Sequence, residues 1–478
     1  MTARNAAAWW RERGVIPSIL VAAISSGYGV VLLVATQYIG ALLAADPYVG
    51  GTQTLAMVTS ILSSLLIGVA MFSAGIVTTN TFSAIVAGRA REIALQRVLG
   101  SSARRQRSVV SMLGLRVGAL GGAVGAVVGA AVAAAAVSLL PRLVGLPAVE
   151  LRWLDVSLLA PPVAVVLTTW AAAHIGSRRV LTVSPMQALG GSVEASTEQI
   201  SARRGRHAVA IALLVIGSLG IAGGIVVGLS SPVGVVLAFF GGLVSFVGIA
   251  LAAPLVMPPL LRLAGATAGA SAPGRLAVQN YRRYPERSSR AAVGITIGVT
   301  LVTMFVVGAE STRAVLTATG GGTLPPEMAA TLDTFTITMV SLVAVTGIVA
   351  GVGVANLLAL SVAERRAELG LLRTLGLSAR GVSRMISWEA LHVTAAGVVS
   401  GLALGTFYGW AGAQSLLGSV RVDITDTSPV STFVWPAVPP VPLLLIVVAT
   451  VVVTTLASVA PTRSGFRVTP VEAIRASV

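Results

Sequence analysis

Long apolar segments alternate with short polar segments along the whole chain. Each apolar segment has the roughly 20 residues that a helix needs to cross a bilayer, and the pattern predicts ten membrane spans. They cover residues 15–44, 54–87, 109–140, 155–176, 208–229, 233–257, 291–309, 334–363, 384–418 and 440–461. The outside loops are short, so the pattern predicts an all-α polytopic membrane protein with no large extracytoplasmic domain.

The charge distribution sets the orientation. The chain carries 33 basic residues and a net charge of +16, with a mean hydropathy of +0.89. If both termini lie in the cytoplasm, the outside loops contain four arginines, Arg142, Arg152, Arg313 and Arg421. The positive-inside rule then explains the basic charge without nucleic acid. We therefore expect a multi-pass protein of the inner (cytoplasmic) membrane with both termini in the cytoplasm.

The composition also argues against enzymatic chemistry. Every basic residue is arginine, and a Walker A loop needs a lysine to reach the nucleotide phosphates. The chain has no cysteine, and His174, His207 and His392 are far apart in the sequence, so no metal site is predicted. We expect a chain that is not an enzyme and has no catalytic residues.

An internal repeat divides the chain into related halves. Residues 91–104, REIALQRVLGSSAR, return as residues 367–380, AELGLLRTLGLSAR, with eight of fourteen positions identical. Each copy precedes a long apolar segment at the same distance, which indicates two repeats of one unit. The predicted organisation is a first repeat over 1–190, a cytoplasmic linker with two intervening spans over 191–270, and a second repeat over 271–478.

Each copy of the repeat predicts a tight turn between two helices. Gly100 or Gly376 suits the left-handed position that ends a helix, and Ser102 or Ser378 suits the N-cap of the next one. A single copy could be an ordinary helical hairpin whose arginines face lipid headgroups. Two copies with the same residues at the same spacing favour a turn that contacts a partner protein.

Several residues within the spans suggest packing or polar roles. Glu389 and His392 lie one helical turn apart near the inner end of a span, and we expect them to reach the interface rather than relay protons. Pro254, Pro258 and Pro259 are expected to mark the end of a span. Glycines recur every four residues in each half, a spacing that allows close helix packing; they are Gly121, Gly125 and Gly129, and Gly397, Gly401 and Gly405.

The second copy and its flanks, ERRAELGLLRTLGLSARGVSRMISWEAL, closely resemble the FtsX-like permeases, which are membrane subunits of MacB-type (type VII) ABC transporters. Both halves also end alike, with VSPMQA at 183–188 and VTPVEA at 468–473. LAVQNYRRYPERSS at 276–289 is similar to the family's amphipathic cytoplasmic helix. Two FtsX-like four-helix repeats and ten spans on one chain resemble the BceB and YbbP arrangement.

This resemblance implies a separate ABC ATPase in two copies, each engaging one turn. ATP and Mg would bind to that ATPase, with no cofactor on this chain. Carried over position by position, the ATPase-coupling residues are Glu92, Arg97, Gly100, Ser102 and Arg104 in the first half and Glu368, Arg373, Gly376, Ser378 and Arg380 in the second. The first half has Leu113 where the second has Glu389, so unequal coupling of the two halves is expected.

The resemblance and the low charge of the spans together predict export or extraction of an amphiphilic substrate, such as a lipid, a peptide antibiotic or a hydrophobic drug. The sequence does not identify substrate-binding residues. A non-transporting mechanotransmission subunit that regulates a cell-wall hydrolase or a sensor kinase is the alternative. An ion-coupled secondary transporter, a third hypothesis, would need no ATPase. Membrane lipids are expected partners, and an accessory extracytoplasmic protein is a further candidate.

Overall fold

The computed structural model describes residues 15–45, 102–144, 156–177, 204–266, 271–283, 285–319, 372–419 and 433–465. Every regular element of appreciable length in these ranges is a helix. Seven of these helices are long and apolar enough to cross a membrane. The chain is therefore an all-α polytopic membrane protein, as the hydrophobic pattern predicted. The predicted spans 54–87 and 334–363 lie outside the described residues.

The chain divides into two compact units, Met1–Val193 and Glu194–Val478. In the first unit, the described helices are α1 (Val15–Ala45), α2 (Ala103–Val144), a short 3-10 helix (Val156–Leu159) and α3 (Ala160–Gly176). Helix α2 has 42 residues, a length of about 63 Å at the usual rise per residue. It therefore extends well beyond the predicted span 109–140. The three long helices pack together around a core of Val15, Val110, Val117, Ala172 and Ala173.

The second unit contains six described helices. They are α4 (Arg204–Gly228), α5 (Gly234–Gly265), α6 (Ala272–Arg283), α7 (Pro285–Thr319), α8 (Ala379–Leu417) and α9 (Pro440–Gly465). Helices α4 and α5 form a hairpin that packs on α8, and α7 lies along α8 over much of its length. The two intervening spans thus belong to the same compact unit as the second repeat.

Small and hydroxylated residues hold the hairpin together and attach it to α8. A Cβ at Gly217 of α4 would lie 2.6 Å from the Cα of Ser245 in α5. The hydroxyls of Ser245 and Tyr408 share a hydrogen bond of 2.7 Å. Such close backbone approach and interhelical hydroxyl bonds are typical of membrane helix packing.

The prolines of α5 do not end that helix. Pro254, Pro258 and Pro259 lie inside it, and it continues to Gly265, so the prediction that they mark its end is wrong. Membrane helices tolerate proline where neighbouring elements and local adjustments accommodate the freed carbonyl groups. Pro440 instead occupies the first position of α9, where a missing N–H removes no helical hydrogen bond.

Helix α6 is the predicted amphipathic helix. Gly274, Ala277 and Tyr281 are buried on one face, and Arg275 and Arg282 are exposed on the other. The predicted segment 276–289 is split, because Pro285 begins α7. Helix α6 consequently forms a short element between the ends of two membrane-spanning helices.

Candidate coupling turn and helix-packing faces

The second copy of the repeat forms a turn with a defined backbone geometry. Gly376 has φ of +96°, a conformation that residues with a Cβ rarely adopt. The amide of Leu377 donates to the carbonyl of Leu372 at 3.0 Å, and the amide of Gly376 donates to the carbonyl of Arg373 at 3.2 Å. These two bonds form a Schellman motif, which closes the end of the helical segment 372–374.

A serine begins the next helix in both copies of the repeat. Ser378 is extended, with φ −62° and ψ 157°, and its Oγ accepts from the amide of Gly381 at 3.1 Å. In the first copy, the Oγ of Ser102 accepts from the amide of Arg105 at 3.3 Å. Each serine therefore satisfies an amide in the first turn of its helix, as an N-cap does.

The structure brings part of the predicted coupling set together. Gly376, Ser378 and Arg380 are exposed at the second turn, and Arg373 is half-buried beside them. Leu375 is 76% exposed at the same turn. In the first copy, Ser102 and Arg104 are exposed at the start of α2. The remaining predicted positions, Glu92, Arg97, Gly100 and Glu368, lie outside the described residues.

The apolar side of the second turn packs against α6 and α8. Leu372 and Leu377 pack on a buried cluster that joins Ala277 of α6 to Val382, Met385 and Ile386 of α8. Because close-packed side chains have little room to shift independently, a displacement of the turn would move both helices.

Two polar residues next to this buried cluster of α6 and α8 have little solvent exposure. Glu389 is 6% exposed and His392 is 1% exposed. The ring of His392 lies 5.5 Å from the ring of Trp388 and 6.0 Å from the ring of Tyr281, which is perpendicular to it. The prediction that both side chains reach the interface is wrong, because both are buried within the second unit, where Tyr281 of α6 packs on His392. Arg116, which takes the place of His392 in the first half, is exposed.

Tyr281 joins the end of α5 to α6. Its hydroxyl occupies the space where Gly265 would carry a Cβ. Burial raises the pKa of this hydroxyl above its ordinary value, while the Arg282 charge acts in the opposite direction. Tyr281 therefore remains uncharged at neutral pH and serves as a packing group.

The glycines of the first half face α1. A Cβ at Gly121 would lie 2.8 Å from the carbonyl oxygen of Ile19, and one at Gly129 would lie 2.7 Å from the Cα of Gly27. A Cβ at Gly125 would overlap the carbonyl oxygen of Ala23. In this unit, α2 thus packs backbone to backbone against α1.

The second-half glycines make the corresponding contact with α7. A Cβ at Gly397, Gly401 or Gly405 would lie 2.7, 2.6 or 2.5 Å from the Cβ of Ile295, Val299 or Thr303, respectively. A hydroxyl pair, Thr296 and Ser400, adds a hydrogen bond of 2.9 Å. In both units, therefore, the helix that follows the repeated motif packs against the helix of the first predicted span in its own half.

One polar cluster in the first unit was not predicted. The Arg107 guanidinium donates to Nε2 of His174. Since arginine only donates, Nδ1 must carry the proton and donate to Ser111 Oγ at 3.0 Å. The cluster joins the start of α2 to the end of α3. His174 is more than 60 residues from both Arg107 and Ser111 in the sequence, so no local motif could have revealed the cluster.

The described residues contain no group of three histidine, cysteine, aspartate or glutamate side chains arranged to hold a metal ion. The features that stand out are instead an exposed turn and two close helix-packing faces.

Comparison with known families agrees with this architecture. The chain is a multi-pass membrane protein, and the model of the FtsX-like permease C-terminal family matches residues 64–185 and 340–470, more than half of its length. The chain belongs to the FtsX-like permease family. Such permeases are membrane subunits of ABC-type systems and associate with an ABC ATPase. No curated protein matches the chain.

Proposed function

We propose that this chain is the permease subunit of a MacB-type (type VII) ABC exporter in the inner membrane, with both termini in the cytoplasm. One polypeptide supplies both halves, as in the BceB and YbbP arrangement, with a first repeat over 1–190, intervening spans over 191–270 and a second repeat over 271–478. Two copies of a separate ATPase bind ATP and Mg and engage the two turns. Each of the two regions matched by the family model contains one copy of the repeated motif, which supports the pairing of one ATPase with each turn.

The proposal is supported mainly by the structure of the second turn. Its backbone is fixed by the Schellman motif at Gly376 and by the Ser378 cap. Leu375 and Arg380 are exposed, while Leu372 and Leu377 are packed beneath them. A partner can therefore contact one side of a turn whose other side is attached to two helices.

The packing supports a route for the movement. Helix α8 has 39 residues, a length of about 58 Å at the usual rise per residue, which exceeds the roughly 30 Å hydrocarbon core. Its glycine face is in close contact with α7. A push at the turn would shift α7 and α8 together and reach the opposite side of the membrane.

The polar groups within the spans favour an amphiphilic cargo. In the described spans, the buried polar side chains are hydroxyls together with Gln414, His392 and Glu389. A charged solute would require a more polar lining. A lipid, a peptide antibiotic or a hydrophobic drug could instead keep its apolar part in the membrane while it is extracted.

Reconstitution with the ATPase that co-purifies with the chain tests this proposal. The measurement is ATP-dependent removal of a fluorescent phospholipid from proteoliposomes, for the wild type and for Gly376→Pro, since proline cannot adopt the positive φ of Gly376. Export should require ATP and be lost in the variant. If ATP turnover instead responds only to an added cell-wall hydrolase or sensor kinase, with no lipid movement, the mechanotransmission hypothesis replaces export.

A further inference from the structure

A segment without regular secondary structure lies near the end of α8 opposite the turn. Residues 433–439, here called the aromatic strap, have the sequence FVWPAVP and contain no charged side chain. The strap leads directly into α9, which begins at Pro440. It lies against the ends of α7 and α8 within the second unit.

Three hydrogen bonds hold the strap in place. The amide of Val434 donates to Oε1 of Gln414 at 2.6 Å, and the Val434 carbonyl accepts from Nε1 of Trp410 at 2.7 Å. The amide of Ala437 donates to Oγ of Ser311 at 3.1 Å. Because Gln414 and Ser311 are themselves buried, the strap is fixed to two packed helices.

The strap buries one side chain and exposes its two neighbours. Val434 is 2% exposed and packs against Val315 and Ala413. The neighbouring side chains Phe433 and Trp435 are instead 55% and 79% exposed. Three hydrogen bonds thus hold two large apolar rings outside the protein core.

These rings continue a series on α8. The ring of Phe433 lies 5.3 Å from that of Trp435 and 5.8 Å from that of Trp410, and Trp410 lies 6.1 Å from Phe407. Phe407 is itself 45% exposed. The four side chains form a continuous aromatic surface.

The position of this surface indicates what covers it. Arg380 and Trp410 are thirty positions apart in one helix, a distance of about 45 Å, and a bilayer with its headgroups is about 40–45 Å thick. If Arg380 lies among the headgroups on the side of the turn, the aromatic surface lies in the interfacial region of the opposite leaflet. Tryptophan and tyrosine concentrate in this region because their rings are apolar and their tips are polar.

We infer that the aromatic strap is a phospholipid-binding surface that inserts into the leaflet opposite the coupling turn. Phe433 and Trp435 lie between the headgroups and the first segments of the acyl chains. Because the strap is fixed to α7 and α8, movement of these helices acts directly on the lipids of that leaflet. The inference rests on the membrane orientation of α8 and holds whether or not an ATPase drives the chain.

The absence of cysteine allows a direct test. Single-cysteine variants Trp435→Cys and Leu375→Cys are labelled with the fluorophore NBD and placed in phosphatidylcholine nanodiscs without an ATPase. Both positions are strongly exposed, so neither substitution removes core packing. Quenching is measured with iodide in the water and with spin-labelled phosphatidylcholine in the bilayer.

We expect NBD at 435 to be quenched by spin labels near the headgroup and to be several-fold less accessible to iodide than NBD at 375. A third variant, Phe433→Ser combined with Trp435→Cys, should increase the iodide accessibility of the probe. Equal iodide quenching at 435 and 375, with no quenching by lipid, would overturn the inference and leave the strap in water, as a surface for a protein partner. ATP-dependent export, measured separately, distinguishes that result from failure of the proposed function.

Discussion

Leu377 donates its amide to the carbonyl of Leu372 across the turn at Gly376, and both leucine side chains pack on the cluster that joins α6 to α8. One backbone bond and one shared apolar cluster thus hold the same pair of residues. Apolar packing at these two positions commonly accompanies a Schellman motif. The two leucines thereby attach the exposed turn to the packed helices α6 and α8.

Gly376→Ala should destabilise the turn, because alanine at a positive φ costs about 1–2 kcal/mol. Thermal unfolding of the detergent-solubilised protein measures the loss. Gly376→Asn is the matched variant, since asparagine tolerates the left-handed region better, and its loss should be smaller. Equal stability of the wild type and the alanine variant would contradict the backbone geometry of the turn.

Gly401→Ala should weaken the packing of α8 on α7. The added Cβ would lie 2.6 Å from the Cβ of Val299, and overpacking of this kind typically costs about 1–3 kcal/mol. Gly412→Ala in the same helix is the control, because a Cβ there meets nothing within 4 Å. The measurement is the midpoint of thermal unfolding, and an equal loss in both variants would show that helix packing is not the cause.

Gly265→Ala should be destabilising, and Tyr281→Phe should partly reverse the effect. The new methyl group would overlap the tyrosine hydroxyl, whereas the Cζ atom of the ring is 3.0 Å away. Among the described residues, the buried hydroxyl has no hydrogen-bond partner, so Tyr281→Phe alone should cost little. A double-mutant cycle on unfolding midpoints checks this; purely additive effects would contradict the contact.

His174→Ala should destabilise the first unit by about 1–3 kcal/mol, because Arg107 loses its acceptor in a partly buried site. Ser111→Ala removes the other bond of the same histidine and should cost less, because no charged donor is left without a partner. Limited proteolysis of the first unit reports the difference. A larger effect for Ser111→Ala would reverse the roles assigned to the two bonds.

The sequence predicted the features that depend on local spacing. The Gly376 and Ser378 pair encodes its turn within a few residues, and the apolar segments encode the described spans. The features that it did not predict depend on contacts between distant segments. His392 is buried where Tyr281 of α6 packs on α8, and Arg107 meets His174 through the packing of α2 and α3. Neither contact has a local pattern, and the same is true of the bond between Gln414 and Val434.

Cross-linking tests directly whether the ATPase contacts the turn at Gly376. Leu375→Cys, in the chain that otherwise has no cysteine, is labelled with a maleimide–diazirine cross-linker and irradiated in the complex with the co-purified ATPase. Trp435→Cys, at an equally exposed position near the other end of the long helix, is the control. We expect a cross-link to the ATPase from position 375 and none from position 435. No cross-link from 375, or equal cross-linking from both positions, would contradict the proposed contact.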